Sequence, residues 1–540
     1  MVEHYSFLEV QCIGIEKEKT LVITNKSLNK KTMSNNSANN KRIAVNTILL
    51  YIRMLFTMVI SLYTSRVILQ VLGADDFGIY NVVGGVVVLF SFLTNAMTSS
   101  TQRFLNYSLG LKDDCIVSHV FNTSILTHFS IFLLVFFLSE TVGVWFVVTQ
   151  LNIPEGRESA AMCVYQMSVI TTLIGIMVVP YRASIIAAER MSIFAYVSVL
   201  EVVLRLGVVL VLPIISYDSL VMYSILLMLV TLLSLFIYQI ECKRKLSFTR
   251  FKFVWDKHQF KEMISFSTWY LFGGMAMVGA KQGTNILINI FYNVAVNAAV
   301  GIANQVLNAV YGFVSSFQTA FTPQIVKLYA ANEKKQLLSL LYSSSKFSYY
   351  LLFVISFPII LFCREILSIW LVNVPDYAVI FTQLVIVSSF TEALSAPLWT
   401  AIGATGKVQK YQVLVSLIVF LNIPLVYIAF KFGLSPTVAF IINLFVSTLA
   451  YLYRLCYIKR YVPYKLSEYM RKVVLPCSVV TCLSIPIPFF LKGHGTSAID
   501  SILLVFVTIG ITCLIMLLAG LDKSEKSFLK SMSNKILKKN

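Results

Sequence analysis

The chain has 540 residues, of which 57% are hydrophobic and only 13% are charged. Soluble proteins carry about 25% charged residues, so this composition excludes an ordinary soluble protein and indicates lipid as the solvent for most of the chain. The formal net charge of +19 raises the question of nucleic acid, and the answer depends on where the 44 lysines and arginines lie.

The first 40 residues are polar, and we predict that they form a disordered cytoplasmic extension. They lack a basic region followed by an apolar core, so the pattern does not favour a cleavable signal peptide. Met33 precedes an Asn- and Ser-rich stretch and would itself be a natural start for a membrane protein. Residues 1–32 are therefore either part of this extension or the product of an upstream translation start.

Apolar windows of about 20 residues, the length of a membrane-spanning helix, recur along the rest of the chain. Barrel strands would alternate polar and apolar residues, whereas stretches such as 131–148 and 502–518 are continuously apolar. The fold class predicted is therefore all-α integral membrane, with about fourteen transmembrane helices. The predicted spans are 43–70, 77–101, 119–148, 159–180, 191–215, 218–241, 263–291, 297–322, 346–370, 378–402, 409–431, 435–458, 473–491 and 498–520.

The lysines and arginines test this topology. With the N-terminus in the cytoplasm, and with cations near the end of a span counted with the adjoining side, the two tails and the even-numbered loops hold 36 of the 44, and four lie deeper inside predicted helices. Only Arg157, Arg364, Lys431 and Lys492 fall on the opposite side. Such a split predicts a multi-pass protein with both termini in the cytoplasm. The positive charge is then a topology signal, and no nucleic-acid partner is needed to explain it.

A basic linker, residues 242–262, divides the chain into two halves. We predict an N-lobe at 41–241 and a C-lobe at 263–458, followed by two further helices at 459–520 and a basic tail at 521–540. The linker interleaves cations with Phe and Trp, which fits both a stretch lying on an anionic membrane leaflet and a solvated connection. A faint similarity between residues 99–110 and 320–331 suggests an internal repeat, as many transporters have.

Polar residues recur on one face of several predicted helices. On the eighth span they follow one line along the whole helix, and shorter stripes occur on the first and second spans. Hydrogen bonds between packed helices could explain them, but their length favours a water-filled lumen. The predicted stripe comprises Asn46, Asn95, Asn304, Asn308, Tyr311 and Ser315, with Thr57 and Thr64 on the same face as Asn46.

Four cations break the charge pattern because they lie within predicted spans, where a charge costs at least about 2.5–3.5 kcal/mol. Arg53 and Lys281 have no carboxylate one turn away, so we predict that they bind an anionic substrate in the lumen. Arg205 follows Glu201 by four residues and fits mainly a helical ion pair. Arg66 lies near a helix end and can reach the headgroups. Arg205 and Arg66 are therefore weaker candidates for substrate binding.

The remaining motifs predict a transporter and no enzyme. Glu392 and Glu140 are carboxylates within predicted spans, and either could couple transport to H⁺ or Na⁺. No ATP-binding loop motif occurs, the nine cysteines and five histidines show no metal-binding spacing, and no loop is long enough for a catalytic domain. We predict no cofactor and no metal site. Amides, hydroxyls and arginines in a lumen suit a hydroxyl-rich anionic cargo.

Two segments resemble a known family. Residues 53–104, with Leu72-Gly73 followed by an acidic Gly-Tyr turn, and the sequence from Thr322 to Tyr329 resemble Wzx-type polysaccharide flippases. These belong to the multidrug/oligosaccharidyl-lipid/polysaccharide exporter superfamily, and the resemblance covers about residues 41–520. It implies two six-helix lobes around a central cavity plus a C-terminal helix pair, working by alternating access.

The resemblance also implies a cargo and partners. An undecaprenyl-pyrophosphate-linked oligosaccharide would be flipped across the bacterial inner membrane for O-antigen or capsule assembly, a step of lipopolysaccharide biosynthesis. A polysaccharide polymerase and a chain-length regulator would be its protein partners. Cationic lumen residues are typical of the family, and Arg53 and Lys281 fit that description.

Three other functions are alternatives, and the predicted helix count, the lumen cations and the short loops argue against the first and the last of them. A drug exporter of the MATE type, in the same superfamily, would have twelve helices and an acidic cavity. A flippase for lipid II, the peptidoglycan precursor, would have fourteen helices and also carry a lipid pyrophosphate, so the charges do not exclude it. A membrane glycosyltransferase or polymerase would need a large catalytic loop.

Overall fold

The structure is a computed structural model, and every regular element in its described part is helical. The described residues are 43, 45–61, 63, 64, 67, 68, 71, 72, 76, 79, 80, 83, 91–150, 153, 156–253, 256–292, 294–371, 374–462, 464–487, 498–522 and 525–526. The predicted disordered extension at 1–40 and the candidate Arg66 lie outside them.

Each of the fourteen predicted spans overlaps a described helix. The second, 77–101, does so only from Ser91, and its helix continues to Leu111. Ten of the helices found in the described residues are long and apolar enough to cross a membrane. The all-helical membrane fold predicted from the apolar windows is confirmed. The long helices are α1 (Val45–Ser61), α2 (Ser91–Leu111), α3 (Asp114–Thr149), α4 (Glu158–Ala187), α5 (Met191–Ile214), α6 (Ser219–Lys245), α7 (Lys257–Phe291), α8 (Val294–Ala330), α9 (Lys334–Leu361), α10 (Ala378–Ala404), α11 (Gln409–Lys431), α12 (Val438–Ile458), α13 (466–484) and α14 (498–520).

The chain forms two compact units, Met1–Leu271 and Phe272–Asn540, and the division falls within α7. In the first unit α4 packs against α6, α3 and α2, and α5 packs against α6. In the second unit α10 packs against α12, α9 and α8, and α11 packs against α12. The same neighbours recur six helices later, and a proline interrupts both α4 (Pro180) and α10 (Pro397). This repetition supports the internal repeat suggested by the sequence.

Three connections of the first unit meet at one arginine. Arg157, which precedes α4, donates hydrogen bonds to Asp76 in the α1–α2 connection (Nε to Oδ1, 3.1 Å) and to the Asp218 carboxylate before α6. Asp218 also caps α6 by accepting hydrogen bonds from the backbone amides of Leu220 and Val221. The cluster, here called the Arg157 clasp, holds the three odd-numbered connections together, as expected for helices that cross the membrane alternately.

The Arg157 clasp is expected to weaken in acid. Partial burial alone would raise the pKa of the Asp218 carboxyl, but its hydrogen bonds with Arg157 and with the α6 amides hold that pKa below its usual value. Hydrogen bonds with Asp76 and Asp218 raise the pKa of Arg157, which therefore stays charged. A carboxyl with a lowered pKa stabilises the fold above its unfolded value of about 4 and loses that contribution as the pH falls further.

Arg157→Gln should therefore lower the unfolding temperature at pH 7, where we expect a loss of about 1 kcal/mol because the pair is partly exposed. The difference from the unsubstituted protein should shrink as the pH falls below about 4, where the carboxylates become protonated. Thermal unfolding of the purified protein between pH 7 and pH 3 measures it. Arg364→Gln, at an exposed arginine, is the control. A difference that stays constant with pH would show that the clasp carboxylates are not responsible.

The end of α14 is tied to α9 by buried polar contacts. Lys346 on α9 has a side chain only 2% exposed, and its Nζ lies 2.6 Å from Glu525 Oε2 and 3.7 Å from Asp522 Oδ2. One turn further, the Tyr350 hydroxyl donates to the Gly520 carbonyl at 2.9 Å. A Cβ on Gly520 would lie 2.7 Å from the same hydroxyl, so only glycine allows this close approach. The buried ammonium and its carboxylates hold the residues that follow α14 against the second unit.

Candidate functional site

Arg53, on α1, is a predicted substrate-binding cation of the first unit that is partly buried and contacts an aromatic ring. Its guanidinium lies over the Phe194 ring of α5, 4.7 Å from the centroid. Its Nε is buried and forms no hydrogen bond within the described residues, and no described carboxylate pairs with the side chain. A desolvated cation without an anion is costly inside a membrane protein. The stacking on Phe194 offsets part of that cost, and an anionic ligand would offset more.

Arg182 on α4 is a second cation near Arg53. The two guanidinium groups are close enough to repel each other, and both act electrostatically on the Tyr238 hydroxyl of α6. Arg182 likewise forms no ion pair with a carboxylate in the described part of the chain. Two unneutralised arginines from different helices, with a tyrosine at their side, form the cation cluster of the first unit. A phosphate group is the ligand that guanidinium groups bind best.

The predicted pair of Glu201 and Arg205 borders this cluster on α5. Arg205 Nη2 donates to Glu201 Oε1 at 2.7 Å, the geometry expected for residues four apart. Glu201 also acts on Tyr238, and Arg205 acts on Tyr80 and Tyr223, whose rings lie edge to face with centroids 5.0 Å apart. Arg205 is therefore already neutralised, and its role in substrate binding stays a prediction.

The polar stripe predicted on α1 is divided by the structure. Asn46 lies two turns before Arg53, is 7% exposed, and its Nδ2 has no hydrogen-bond partner among the described residues. Thr57 and Thr64 instead donate to their own helix, to the carbonyls of Met54 and Ile60. Asn46 thus keeps the donor capacity that a ligand could use, whereas the two threonines are satisfied by the backbone. The side chain of Asn95, on α2, lies outside the described residues.

In the second unit, α8 has one buried face and one polar face. Ala303, Val310 and Val314 are buried in apolar clusters. Asn308 and Ser315 are exposed, and the two other members of the stripe on α8, Asn304 and Tyr311, are partly exposed. Asn304 donates to the Val300 carbonyl at 2.9 Å, Ser315 to the Gly312 carbonyl at 2.9 Å, and Gln318 to the Tyr311 hydroxyl at 3.3 Å. An exposed amide facing lipid would be costly, so this face favours contact with water or cargo.

Glu392, on α10, is a carboxylate under the electrostatic influence of two cations. It is exposed, and it forms no hydrogen bond or ion pair within the described residues. Its carboxylate interacts electrostatically with Arg454 of α12 and Lys281 of α7, and it acts on the Tyr311 hydroxyl of α8. Arg454 Nε donates to the Tyr411 hydroxyl of α11 at 3.0 Å, which holds the guanidinium in place. Lys281 is exposed. This cluster joins two sequence candidates, Glu392 and Lys281, with Arg454.

Glu140 has different surroundings. It lies in a π-helical turn of α3, Ser139–Gly143, and its carboxylate accepts a hydrogen bond from Gln166 of α4 at 3.2 Å. The adjacent Tyr165 hydroxyl donates to the Ser139 carbonyl at 2.8 Å. These bonds join α3 to α4 and give Glu140 a partner, whereas Glu392 has none among the described residues. Of the two carboxylates, Glu392 is the stronger candidate for ion coupling, which stays a prediction for both.

Neither family models nor curated proteins match this chain. Solved structures do match. A MATE structure in the straight conformation has a TM-score of 0.65 and 14% identity, with 79% of this chain and 97% of that chain covered. An outward-facing multidrug resistance MATE family transporter of the MOP superfamily gives 0.65 and 12%, covering 77% and 96%. A MOP superfamily transporter from Pyrococcus furiosus, described as having a binding pocket of reverse polarity, gives 0.64 and 13%, covering 77% and 95%.

The chain has the MATE fold. At sequence identities of 12–14%, the match concerns the fold alone. Two of the matched transporters are described as members of the MOP superfamily, which is the superfamily that the sequence resemblance indicates. Within the MATE fold, the first unit holds the Arg53 cluster and the second unit holds the Glu392 cluster. No group of His, Cys, Asp and Glu in the described residues is arranged to hold a metal ion.

Two cations of these clusters were not predicted as site residues from the sequence. Arg182 and Arg454 lie near the ends of α4 and α12 that the charge pattern assigns to the cytoplasm, and both were counted as topology signals. The predicted span 435–458 already contains Arg454, whereas the predicted span 159–180 ends before Arg182. Arg182 precedes the end of α4 by more than one turn, and Arg454 precedes the end of α12 by one turn. A cation that lies inside a helix, and not beyond its end, is a candidate for ligand binding just as a cation at mid-membrane is.

Proposed function

We propose that this protein flips undecaprenyl-pyrophosphate-linked oligosaccharide repeat units from the cytoplasmic to the periplasmic leaflet of the bacterial inner membrane, by alternating access. The observation that carries the proposal is the cation cluster of Arg53 and Arg182, neither of which forms an ion pair with a carboxylate among the described residues. A cationic drug would be repelled there, whereas a pyrophosphate would satisfy both guanidinium groups. Asn46 and Tyr238 supply donors for phosphate or sugar oxygens.

The comparisons support the coarser part of the proposal, which is that the chain is a membrane transporter. MATE proteins named as multidrug transporters share its fold, and the P. furiosus protein with that fold is described as having a pocket of reverse polarity and a different function. The same fold is thus compatible with binding pockets of different polarity. The polysaccharide cargo itself rests on the resemblance of residues 53–104 and 322–329 to the flippases.

The experiment that tests the cargo is complementation of flippase-deficient bacteria. Strains that lack their own O-antigen or capsule flippase, and one that lacks its lipid II flippase, would each receive this gene. Surface polysaccharide restored in at least one of the first group, without growth rescue of the last, supports the proposal. Rescue of the lipid II strain alone would move the cargo to peptidoglycan precursor. Drug resistance without either rescue would favour the MATE-type cation-coupled exporter.

Glu392 is proposed as the group through which an ion gradient drives transport. Its carboxylate can alternate between the cations Arg454 and Lys281 and a proton or Na⁺, and an anionic cargo would compete with it for those cations. Glu392→Gln should keep cargo binding while making flipping insensitive to the imposed gradient. The measurement is flipping of a fluorescent lipid-linked sugar in proteoliposomes with and without a pH or Na⁺ gradient. Glu140→Gln is the matched control, and a gradient response retained by Glu392→Gln would contradict the role.

A further inference from the structure

The first half of the linker is part of the first unit. Some of its side chains are buried against that unit and the others are exposed. Leu246, Phe248 and Thr249 are 7%, 8% and 1% exposed. In contrast, Phe251 is 52% exposed and Phe253 is 75% exposed. Every cation of this stretch is also exposed, namely Lys243, Arg244, Lys245, Arg250 and Lys252. Residues 243–253 therefore form a fixed strip with an apolar inner side and a cationic, aromatic outer side.

Specific contacts hold this strip against α3. The Asn122 side chain accepts a hydrogen bond from the Lys252 backbone amide at 2.8 Å and donates to the Ser118 carbonyl at 2.7 Å. The Phe248 ring packs edge to face on Phe121, with centroids 6.5 Å apart. Beyond the two residues that are not described, the Thr123 hydroxyl lies 3.2 Å from Gln259 Oε1. The strip is thus positioned by the fold, and the orientation of Phe251 and Phe253 follows from it.

The outer side has the composition of a surface that binds anionic lipid. Residues 243–253 contain five cations and no carboxylate. Phe beside Lys and Arg is the pattern of segments that insert their rings among acyl chains while the cations meet phosphates. The strip begins in the last turn of α6, at Lys243–Lys245, which places it at the end of a membrane-spanning helix. The charge pattern predicts that this end faces the cytoplasm, where the leaflet carries negative charge.

We propose that residues 243–253 bind the anionic phospholipid headgroups of the cytoplasmic leaflet, with Phe251 and Phe253 inserted beside them. This interaction is separate from cargo transport and does not depend on which cargo the protein carries. Each Lys or Arg near an anionic surface favours the bound state by about fivefold. The first unit would then be anchored at this edge to the leaflet, and the anchoring would respond to lipid composition and to salt.

The test uses the full-length protein in nanodiscs, with a fluorescent noncanonical amino acid in place of Phe253. A nitroxide-labelled phospholipid serves as quencher. Quenching should be strong when the nanodisc contains phosphatidylglycerol, and weak in phosphatidylcholine alone or at high salt. The double variant Lys243→Gln/Lys245→Gln should lower the ratio of quenched to unquenched protein by about 25-fold, because each of the two charges contributes about fivefold.

The matched control is Lys459→Gln/Arg460→Gln, which removes two exposed cations from the α12–α13 connection and should leave quenching at position 253 unchanged. Quenching that is absent with phosphatidylglycerol, or equal in both lipids, would overturn the proposal. Protection of the fluorophore by a cytosolic protein fraction in the absence of quenching would also overturn it, in favour of a protein partner. A monodisperse elution profile for each variant shows that the comparison is between folded proteins.

Discussion

The double variant Arg53→Ala/Arg182→Ala is expected to abolish flipping while the protein remains folded and present at its normal level. Each arginine removed takes away charge-assisted hydrogen bonds worth about 1.5–3 kcal/mol to a bound phosphate, or roughly 10- to 100-fold in affinity. The single variants should therefore be strongly impaired and the double variant inactive. Transport of a lipid-linked sugar in proteoliposomes measures the loss, and surface polysaccharide in a complemented strain gives the cellular readout.

Three further variants make this result specific. Arg53→Lys keeps the charge but loses the two-pronged geometry, so it should retain partial activity. Glu201→Gln removes a negative charge beside the cluster and should not weaken binding of an anionic cargo. Arg364→Ala removes an exposed arginine outside both clusters and should behave like the unsubstituted protein. Full activity in Arg53→Ala/Arg182→Ala would end the pyrophosphate-binding role, whatever the cargo is.

Glu525→Gln is expected to lower the free energy of unfolding by about 3–5 kcal/mol, since breaking a buried ion pair leaves an uncompensated charge. The Lys346 side chain is 2% exposed, and its closest carboxylate, Glu525, is 15% exposed. Asp522 is 3.7 Å away and 64% exposed, so it replaces Glu525 only in part. Thermal or denaturant unfolding of the purified protein in detergent gives the measurement.

The double variant Lys346→Met/Glu525→Gln tests whether the loss of stability in Glu525→Gln comes from the buried ammonium that has lost its carboxylate. An apolar side chain in place of the ammonium removes the buried charge, so much of the lost stability should return. The control is the pair Glu468 and Lys472, which has the same 2.6 Å separation but side chains 40% and 51% exposed. Glu468→Gln should cause no measurable change. Equal effects of Glu525→Gln and Glu468→Gln would show that burial does not set the strength of the Lys346 pair.

The helices could be predicted because a membrane-spanning helix must be apolar over its whole length. That requirement leaves a signal in one window of sequence, and all fourteen windows contain described helices. The ion pair of Glu201 and Arg205 could be predicted for a similar reason, since its partners are four residues apart. In each case the interaction that decides the structure is local in sequence.

The clusters could be predicted only in part because their members come from distant segments. Lys346 and Glu525 are 179 residues apart, and neither has a neighbour in sequence that indicates the pair. Arg53 and Lys281 could be predicted because each lies deep in a predicted span, where an unpaired charge is costly. Arg182 and Arg454 did not, since a cation near the cytoplasmic end of a helix already has an explanation in topology. The linker illustrates the same limit, because its pattern fits both a membrane surface and a solvated loop, and its buried Phe248 packs on Phe121 of the distant helix α3.

The repeated arrangement of helices, α2–α3–α4–α6 and then α8–α9–α10–α12, has a consequence for how such a protein changes over generations. Each unit has its own apolar clusters, and the Arg53 cluster and the Glu392 cluster are built from residues of different units. Under the proposed roles, selection can then alter the cargo in one half while the driving ion is retained in the other. A duplicated scaffold of this kind lets two properties evolve separately although both are needed for a single transport cycle.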